Sequence, residues 1–366
     1  MVITLLLVGV AVGFAWNLGV HYTGAVMGMP YAARSIALWP ALILIAILTI
    51  LGATFASSGV EATVGQHIIS DQLVKVPDAL VIVLAAGLLT LLYNYWKIPT
   101  STIQILVFCV VGVGLAGHIP IEWQTIGRLA VVWVCAPVVA FGLGFLFTRL
   151  LDLLVPVELA RAQTQAQTEE AVEMMKSRSW FARAFPGVAL AWQMVSAKKG
   201  LVSQVTVIAL RFLPLLLVCV GMAASFVLGA NDVSNATGVF ILTHLFSFTL
   251  AGLIGGMAMA VGALTWGRRI LNTVAFDVVK MDLTMASAAQ GVQALVVLAA
   301  VMLGLFTSMN QALIGAMAGT GLARGRETVQ RKQMVGILRG WLIGPLSGLA
   351  LAFVLESLMR FVLHLG

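Results

Sequence analysis

Nine apolar stretches dominate this chain, at 1–20, 36–55, 79–95, 103–116, 129–147, 201–228, 246–264, 285–306 and 341–361. Many approach the roughly 20 residues that a helix needs to cross hydrocarbon. Helices, not a barrel, carry the crossing. With 61% hydrophobic residues, 10% charged residues and a mean hydropathy of +1.04, the composition lies far outside soluble domains, where about a quarter of residues are charged. The fold class expected is therefore all-α, a polytopic protein of the cell membrane. The first stretch has no basic n-region and no A-x-A-like cleavage pattern, so it reads as the first membrane helix and not as a signal peptide. Cys109, Cys135 and Cys219 sit inside apolar runs without C-x-x-C pairing. They read as buried packing residues, not as a disulfide or zinc framework. The net charge of +7 resides in loops between membrane segments, where cytoplasmic orientation explains it without a nucleic-acid partner.

Against this background the decapeptide Gly229-Ala230-Asn231-Asp232-Val233-Ser234-Asn235-Ala236-Thr237-Gly238 is anomalous. A charged side chain at the centre of a bilayer segment costs about 2.5–3.5 kcal/mol on insertion scales, so it is normally aimed at a cation, a partner group or a water-filled cavity. The competing reading is a helix-packing motif, since small residues and Asn also join helices in lipid.

The chain is internally duplicated. Thr100-Ser101, Gln104, Gly112, Gly114, Leu115 and Ala116 recur at constant offset as Thr307-Ser308, Gln311, Gly319, Gly321, Leu322 and Ala323; Trp133 and Pro137 recur as Trp341 and Pro345. The stretch Gly19 to Gly28 matches Gly229 to Gly238 in length and glycine boundaries. Arg268, Arg269 and Lys280 mark one loop of the second half, and Arg324, Arg326, Arg331 and Lys332 another. The corresponding loops around Asp71 to Asp78 and His118 to Arg128 carry little net charge. Because positive loops stay cytoplasmic, the asymmetry predicts inverted-topology repeats with re-entrant or broken helices. The expected division is a first membrane repeat at 1–151, a polar linker at 152–200 and a second repeat at 201–366. Within the linker, Lys176, Arg178, Arg183, Lys198 and Lys199 flank Trp180, Phe181, Phe185 and Trp192, which suits an interfacial helix on membrane lipid as well as it suits a solvated connection.

Glycine and proline interruptions at matched positions of two apolar halves point to a central binding site, because a broken helix exposes backbone groups there. Both halves are expected to carry two interruptions. Half-helix N-termini present unpaired N–H groups and the positive end of the dipole, which suit an anion. Thr100, Ser101, Thr102, Ser234, Thr237, Thr307 and Ser308 add hydroxyl donors, and Gln104, Asn231, Asn235, Asn310 and Gln311 add amide donors. That set fits a tetrahedral oxyanion. Asp232 with the amide oxygens of Asn231 and Asn235 looks instead like hard-oxygen ligation for a small cation such as sodium. Placing a cation beside a dianion offsets the desolvation of both, which is a physical basis for symport.

These residues resemble a known family. GANDVSNATG, the PTST at Pro99 to Thr102, the GRRILNTV at Gly267 to Val274 and the GLAR at Gly321 to Arg324 are similar to motifs of the inorganic phosphate transporter (Pit) family. The resemblance covers nearly the whole chain outside the linker. It implies duplicated halves with re-entrant hairpins, ion-coupled phosphate uptake, and no organic cofactor, with sodium or a proton as coupling ion. Carried over by position, Asn231 and Asp232 serve the cation, sodium included, with Asn17 and His21 as further coupling candidates. Ser101, Thr102, Gln104, Asn235, Thr307, Ser308 and Gln311 serve the anion.

The first half departs from the family pattern: His21 and Tyr22 hold the Asn-Asp positions and Ala25 the second Asn position, while Phe306, Met309 and Asn310 replace the Pro and both Thr positions of the second hairpin. His21 becomes a candidate proton carrier. Sulfate offers acceptors only and is repelled by an unpaired carboxylate, so a site with fewer carboxylates shifts toward sulfate. Sulfate permeases that resemble this family share the degraded first motif, which makes sulfate the alternative substrate. Glu61 and Glu356 each fall near an expected helix end and read as interfacial. An intramembrane hydrolase lacks its second acid or nucleophile–base pair. An anion channel and a non-transporting sensor are the remaining rivals, and a homodimer is compatible with the pattern.

Overall fold

A computed structural model describes residues 1–96, 100–197, 203–277, 281–325 and 331–363. Pro99, Lys198, Lys199, Lys280 and Arg326 lie outside the described residues, as do the side chains of Arg331 and Lys332. The first half runs through α1 (Val2–Ala32), α2 (Leu38–Ala56), α3 (Ser58–Gln66), α4 (Val76–Tyr95), α5 (Thr102–Ala116) and α6 (Trp123–Leu154). The connection forms α7 (Val157–Met175), α8 (Trp180–Ala184) and α9 (Pro186–Ala197). The second half repeats the first as α10 (Gln204–Asp232) with α11 (Ser234–Leu242), then α12 (Phe248–Thr265), α13 (Gly267–Asp277), α14 (Leu283–Met302), α15 (Met309–Arg324) and α16 (Arg331–Leu363). Among the described residues there is no strand, only an isolated bridge between Ile69 and Ile121.

Among the described residues, eight helical segments are long and apolar enough to cross a membrane. α5 and α15 are not. At about 1.5 Å per residue they extend only about 22–24 Å, short of a hydrocarbon core of about 30 Å. Each begins at a serine N-cap, Ser101 and Ser308, whose hydroxyl accepts an N–H of the first turn. Such caps satisfy one of the orphan donors at a helix start and fix where the helix begins. The outward faces of the long helices are apolar, as at Val131, Val134 and Val138 of α6, with Trp39, Trp123 and Trp266 exposed near segment ends as in an interfacial aromatic belt.

The packing of the halves is interchanged. α6 lies on α15 while α16 lies on α5; α10 lies on α2 while α1 lies on α12; α11 meets α3 while α1 meets α13. Close approach is made by glycine. A Cβ on Gly229 would run into the Thr49 and Ala53 backbone of α2, and one on Gly19 into the Met259 backbone of α12. Backbone contact of this kind supplies the packing that holds helices together in lipid. Two ion-pair clusters then tie helix ends. Arg324 at the end of α15 meets Asp152 at 2.7 Å and Asp282 at 3.3 Å. Arg360 near the end of α16 meets Glu356 at 2.7 Å and Asp78 at 3.4 Å. By the spacing that carries Trp133 onto Trp341, Asp152 falls on Arg360. By the spacing that carries Ala116 onto Ala323, Arg324 falls on Gly117, and the Arg360 guanidinium fills the space above that glycine.

Several expectations are corrected here. The Gly19 to Gly28 stretch lies inside the unbroken helix α1, so the first half is not interrupted there. In the second half the ladder is interrupted only at Val233, whose backbone stays helical at φ −57, ψ −37, so the motif is a joint between two helices and not an unwound segment. Glu61 and Glu356 stand near helix ends as expected, yet both are fully buried in the protein. Of the cysteines only Cys109 is buried; Cys135 and Cys219 are exposed on the outer faces of α6 and α10. The connection is docked at one end of the bundle, where Ala37 N–H donates to the Ala184 carbonyl, Gly187 N–H to that of Arg34, and the Gln163 side chain to that of Leu210. Trp180 and Phe181 of α8 remain exposed.

Gly229→Ala forces α10 away from α2 and should cost about 1–3 kcal/mol, the usual range for overpacking. Gly9→Ala, with nothing near its Cβ, should leave the melting temperature unchanged, and thermal melts of the two variants in detergent check the contrast.

Candidate functional site

The starts of α5 and α15, the α10–α11 joint and the middle of α1 converge. At the two half-helix starts, Gln104 and Gln311 use their backbone N–H groups for the Ser101 and Ser308 caps, at 3.4 and 3.3 Å. Their side chains then bond each other reciprocally, Gln104 Nε2 to Gln311 Oε1 at 3.4 Å and Gln311 Nε2 to Gln104 Oε1 at 3.1 Å. Equivalent residues of the two halves meet only where the halves' symmetry axis passes, so this pair marks the centre of the duplication. Both N-termini point their dipoles toward it.

The α10–α11 joint is clamped onto the α15 hairpin. Asn231 Nδ2 donates to the Thr307 carbonyl at 2.8 Å and Thr307 N–H donates back to Asn231 Oδ1 at 3.2 Å. Asp232 is held by amides. Its Oδ2 accepts from Asn231 at 2.9 Å and its Oδ1 from Asn235 at 3.4 Å. Asn235 also donates to Thr102 Oγ1 at 3.1 Å, which lies 2.7 Å from the Tyr22 hydroxyl. Through Thr102, Tyr22 of α1 joins the network that holds Asp232.

Ser101, Thr102, Asn231, Asp232, Asn235, Thr307 and Ser308 are 0% exposed, with Gln104 at 7% and Gln311 at 2%. The cluster is sealed from solvent. Thr100 Oγ1 and Thr307 Oγ1, which are repeat equivalents, have no partner in it, and neither has Asn235 Oδ1. Buried polar atoms are nearly always satisfied, so unspent ones mark where a ligand would bond. For a tetrahedral oxyanion there are two threonine hydroxyls and two helix N-termini. For a hard cation there are the Asp232 oxygens and Asn235 Oδ1. Among the described residues no three His, Cys, Asp or Glu side chains cluster, so a cation here would rely on amide and hydroxyl oxygens for its remaining ligands.

Of the expected site residues, Asn17 and His21 are placed apart from Asp232. His21 Nδ1 bonds Asn94 Oδ1, Asn94 Nδ2 donates to Asn17 Oδ1 at 2.7 Å, and Asn310 lies between His21 Nε2 at 3.1 Å and the Thr100 carbonyl at 3.2 Å. Among the described residues no side-chain hydrogen bond joins this network to the carboxylate. Their helical phase explains it, because Tyr22, not His21, turns toward the α10–α11 joint. Tyr22 was noted only as the substitute at the motif's Asp position, and Asn94 was passed over by sequence reasoning. A lone Asn at the end of an apolar run was the only available signal for the latter.

Residues 18–362 match the model of the phosphate transporter family. The chain belongs to that family. It is 25% identical over 350 residues to the sulfate permease CysP of Bacillus subtilis, covering 94% of this chain and 85% of the relative. It is likewise 25% identical over 419 residues to the inorganic phosphate transporter 2-1, chloroplastic, of Arabidopsis thaliana, covering 95% and 71%. Among solved structures a sodium-dependent phosphate transporter shares the fold, with a TM-score of 0.81 at 22% identity over 99% of this chain and 100% of that one. Membership of the phosphate transporter family and eight apolar segments make this a multi-pass protein of the cell membrane.

The Gln104–Gln311 pair predicts strong coupling between the halves. In a double-mutant cycle, Gln104→Leu and Gln311→Leu should each destabilise by leaving a buried amide unpaired, about 1–3 kcal/mol. The double variant should cost less than the sum by about 0.5–3 kcal/mol, read from unfolding in detergent.

Proposed function

We propose that this chain is an ion-coupled symporter that carries inorganic phosphate across the membrane by alternating access between halves 1–151 and 201–366, joined by the docked connection 152–200. One observation supports it above the others: the two capped half-helix starts and Asp232 share one sealed cluster with unspent hydroxyls. The N-termini and hydroxyls of Thr100, Ser101, Thr102, Thr307 and Ser308 suit the anion, with Gln104, Gln311 and Asn235 completing its donors. Asn231 and Asp232 suit sodium, and a cation bound there lowers the cost of bringing a dianion into the same cluster. Sealing from both sides is what a carrier needs between openings and what a conducting pore lacks.

A second reading, sulfate carried with protons, is favoured by Tyr22. Standing where the second-half motif has Asp232, it contributes a hydroxyl in place of a second carboxylate, and a fully ionised anion meets less repulsion there. The Bacillus subtilis relative fits this reading.

Uptake of labelled phosphate and sulfate into liposomes, under separately imposed sodium and proton gradients, tests both. One anion should accumulate in a gradient-dependent, saturable manner, and Asp232→Asn should lower that uptake at least tenfold. Gradient-independent flux of either anion would mark a channel, and binding without flux a sensor.

A further inference from the structure

Glu61 is a carboxylate that the oxyanion cluster does not use. It is 0% exposed, and among the described residues it forms no ion pair. Its Oε1 accepts from the Thr237 hydroxyl at 2.6 Å and its Oε2 has no hydrogen-bond partner. An ionised carboxylate buried without a cation is so costly that such a group neutralises instead. The elements around it offer no counter-charge. α11, α12 and α14, which pack on α3, carry no titratable side chain. On α10 the titratable groups are Arg211 and Cys219 toward its start and Asp232 at its end, the last held by Asn231 and Asn235. α3 itself adds only Glu61, with His67 at its C-terminal cap.

Two hydroxyls stand near the carboxyl. Ser57 stands one helical turn before Glu61, beside its carboxyl, with its own hydrogen spent on the Ala53 carbonyl at 2.5 Å. With that hydrogen spent, it can meet the carboxyl only with a lone pair, to which a protonated acid donates and a carboxylate does not. Thr237 has one hydrogen and two acceptors, Glu61 Oε1 at 2.6 Å and the Val233 carbonyl at 3.0 Å. Val233 is the residue at which the α10–α11 ladder breaks, next to Asp232.

We propose that Glu61 is a proton-binding site of this chain, distinct from the oxyanion cluster, and that its protonation is coupled to the α10–α11 joint through Thr237. When Glu61 is ionised, the Thr237 hydrogen is drawn to the carboxylate; when it is protonated, that hydrogen is free to turn to the Val233 carbonyl, which also accepts the Thr237 N–H at 3.0 Å, and so to bend the joint beside Asp232. One proton binds at the carboxyl from one side of the membrane and leaves to the other, so the site supplies a coupling ion without a metal. The inference rests on the transporter reading, and the test separates the two.

In liposomes, Glu61→Gln copies the neutral acid, so it should fold normally and keep labelled-anion exchange between equal pools within about twofold, while proton-driven accumulation falls at least tenfold. Glu61→Asp should retain part of that accumulation. Proton-driven accumulation in Glu61→Gln equal to that of the unaltered chain overturns the proposal, as does loss of exchange together with accumulation, or accumulation that follows sodium alone. A transport-free readout accompanies it: the infrared spectrum of the detergent-purified chain at neutral pH should show a protonated-carboxyl stretch that disappears in Glu61→Gln. Its absence from the unaltered chain overturns the assignment even if the anion is carried, whereas its presence without any anion exchange refutes the transporter reading and leaves the proton site standing.

Discussion

The reciprocal bonds between Asn231 and the Thr307 backbone are the interaction on which the rest of the site depends. They hold the α10–α11 joint against the extended chain that leads into α15, and so fix Asp232 and Asn235 relative to Ser308. In water such a clamp would be modest, because its groups could bond solvent instead. Inside a membrane bundle no solvent competes, and an unpaired backbone group costs several kcal/mol. The asparagine at the second-half motif is therefore structural as well as polar, and its neighbour Asp232 inherits a position set by backbone hydrogen bonding.

A second constraint is length. α5 and α15 cannot reach across hydrocarbon, and their serine caps set the point at which each starts. Two helices that begin inside the bundle leave their first N–H groups without intrahelical acceptors. The positive ends of two dipoles are thereby brought near one another, an arrangement that is unfavourable unless something negative or strongly polar lies between them. Asp232 and the crossed Gln104–Gln311 amides occupy that region in the sealed state, which is why one carboxylate suffices among so many neutral donors.

The architecture was legible because hydropathy and duplication are written at the scale of whole segments. The Thr-Ser-x-x-Gln repeat marked both helix starts, since a cap and its partner must stand three residues apart. Finer features were not legible. Similar length and glycine boundaries suggested a break in Gly19 to Gly28, yet Gly19 serves close packing on α12 and the helix runs on. Glu61 was assigned to an interface because it stands near a helix end, but proximity to an end says nothing of whether another helix covers it; α11 does. His21 and Tyr22 are adjacent in sequence and about 100° apart around α1. Which of them meets Asp232 depends on rotation of the helix, a quantity fixed only by tertiary packing.

The two ion-pair clusters carry a further consequence. A perfectly duplicated chain would carry the same charge at equivalent places of its two halves. Here Asp152 and Arg360 hold equivalent places with opposite sign, and Arg324 projects where its counterpart is Gly117. The Arg324 cluster is nearly sealed, its guanidinium 3% exposed, whereas that of Arg360 is 25% exposed and open to screening by dissolved ions. The difference between the two halves thus lies at helix ends, in clusters of unequal exposure to solvent.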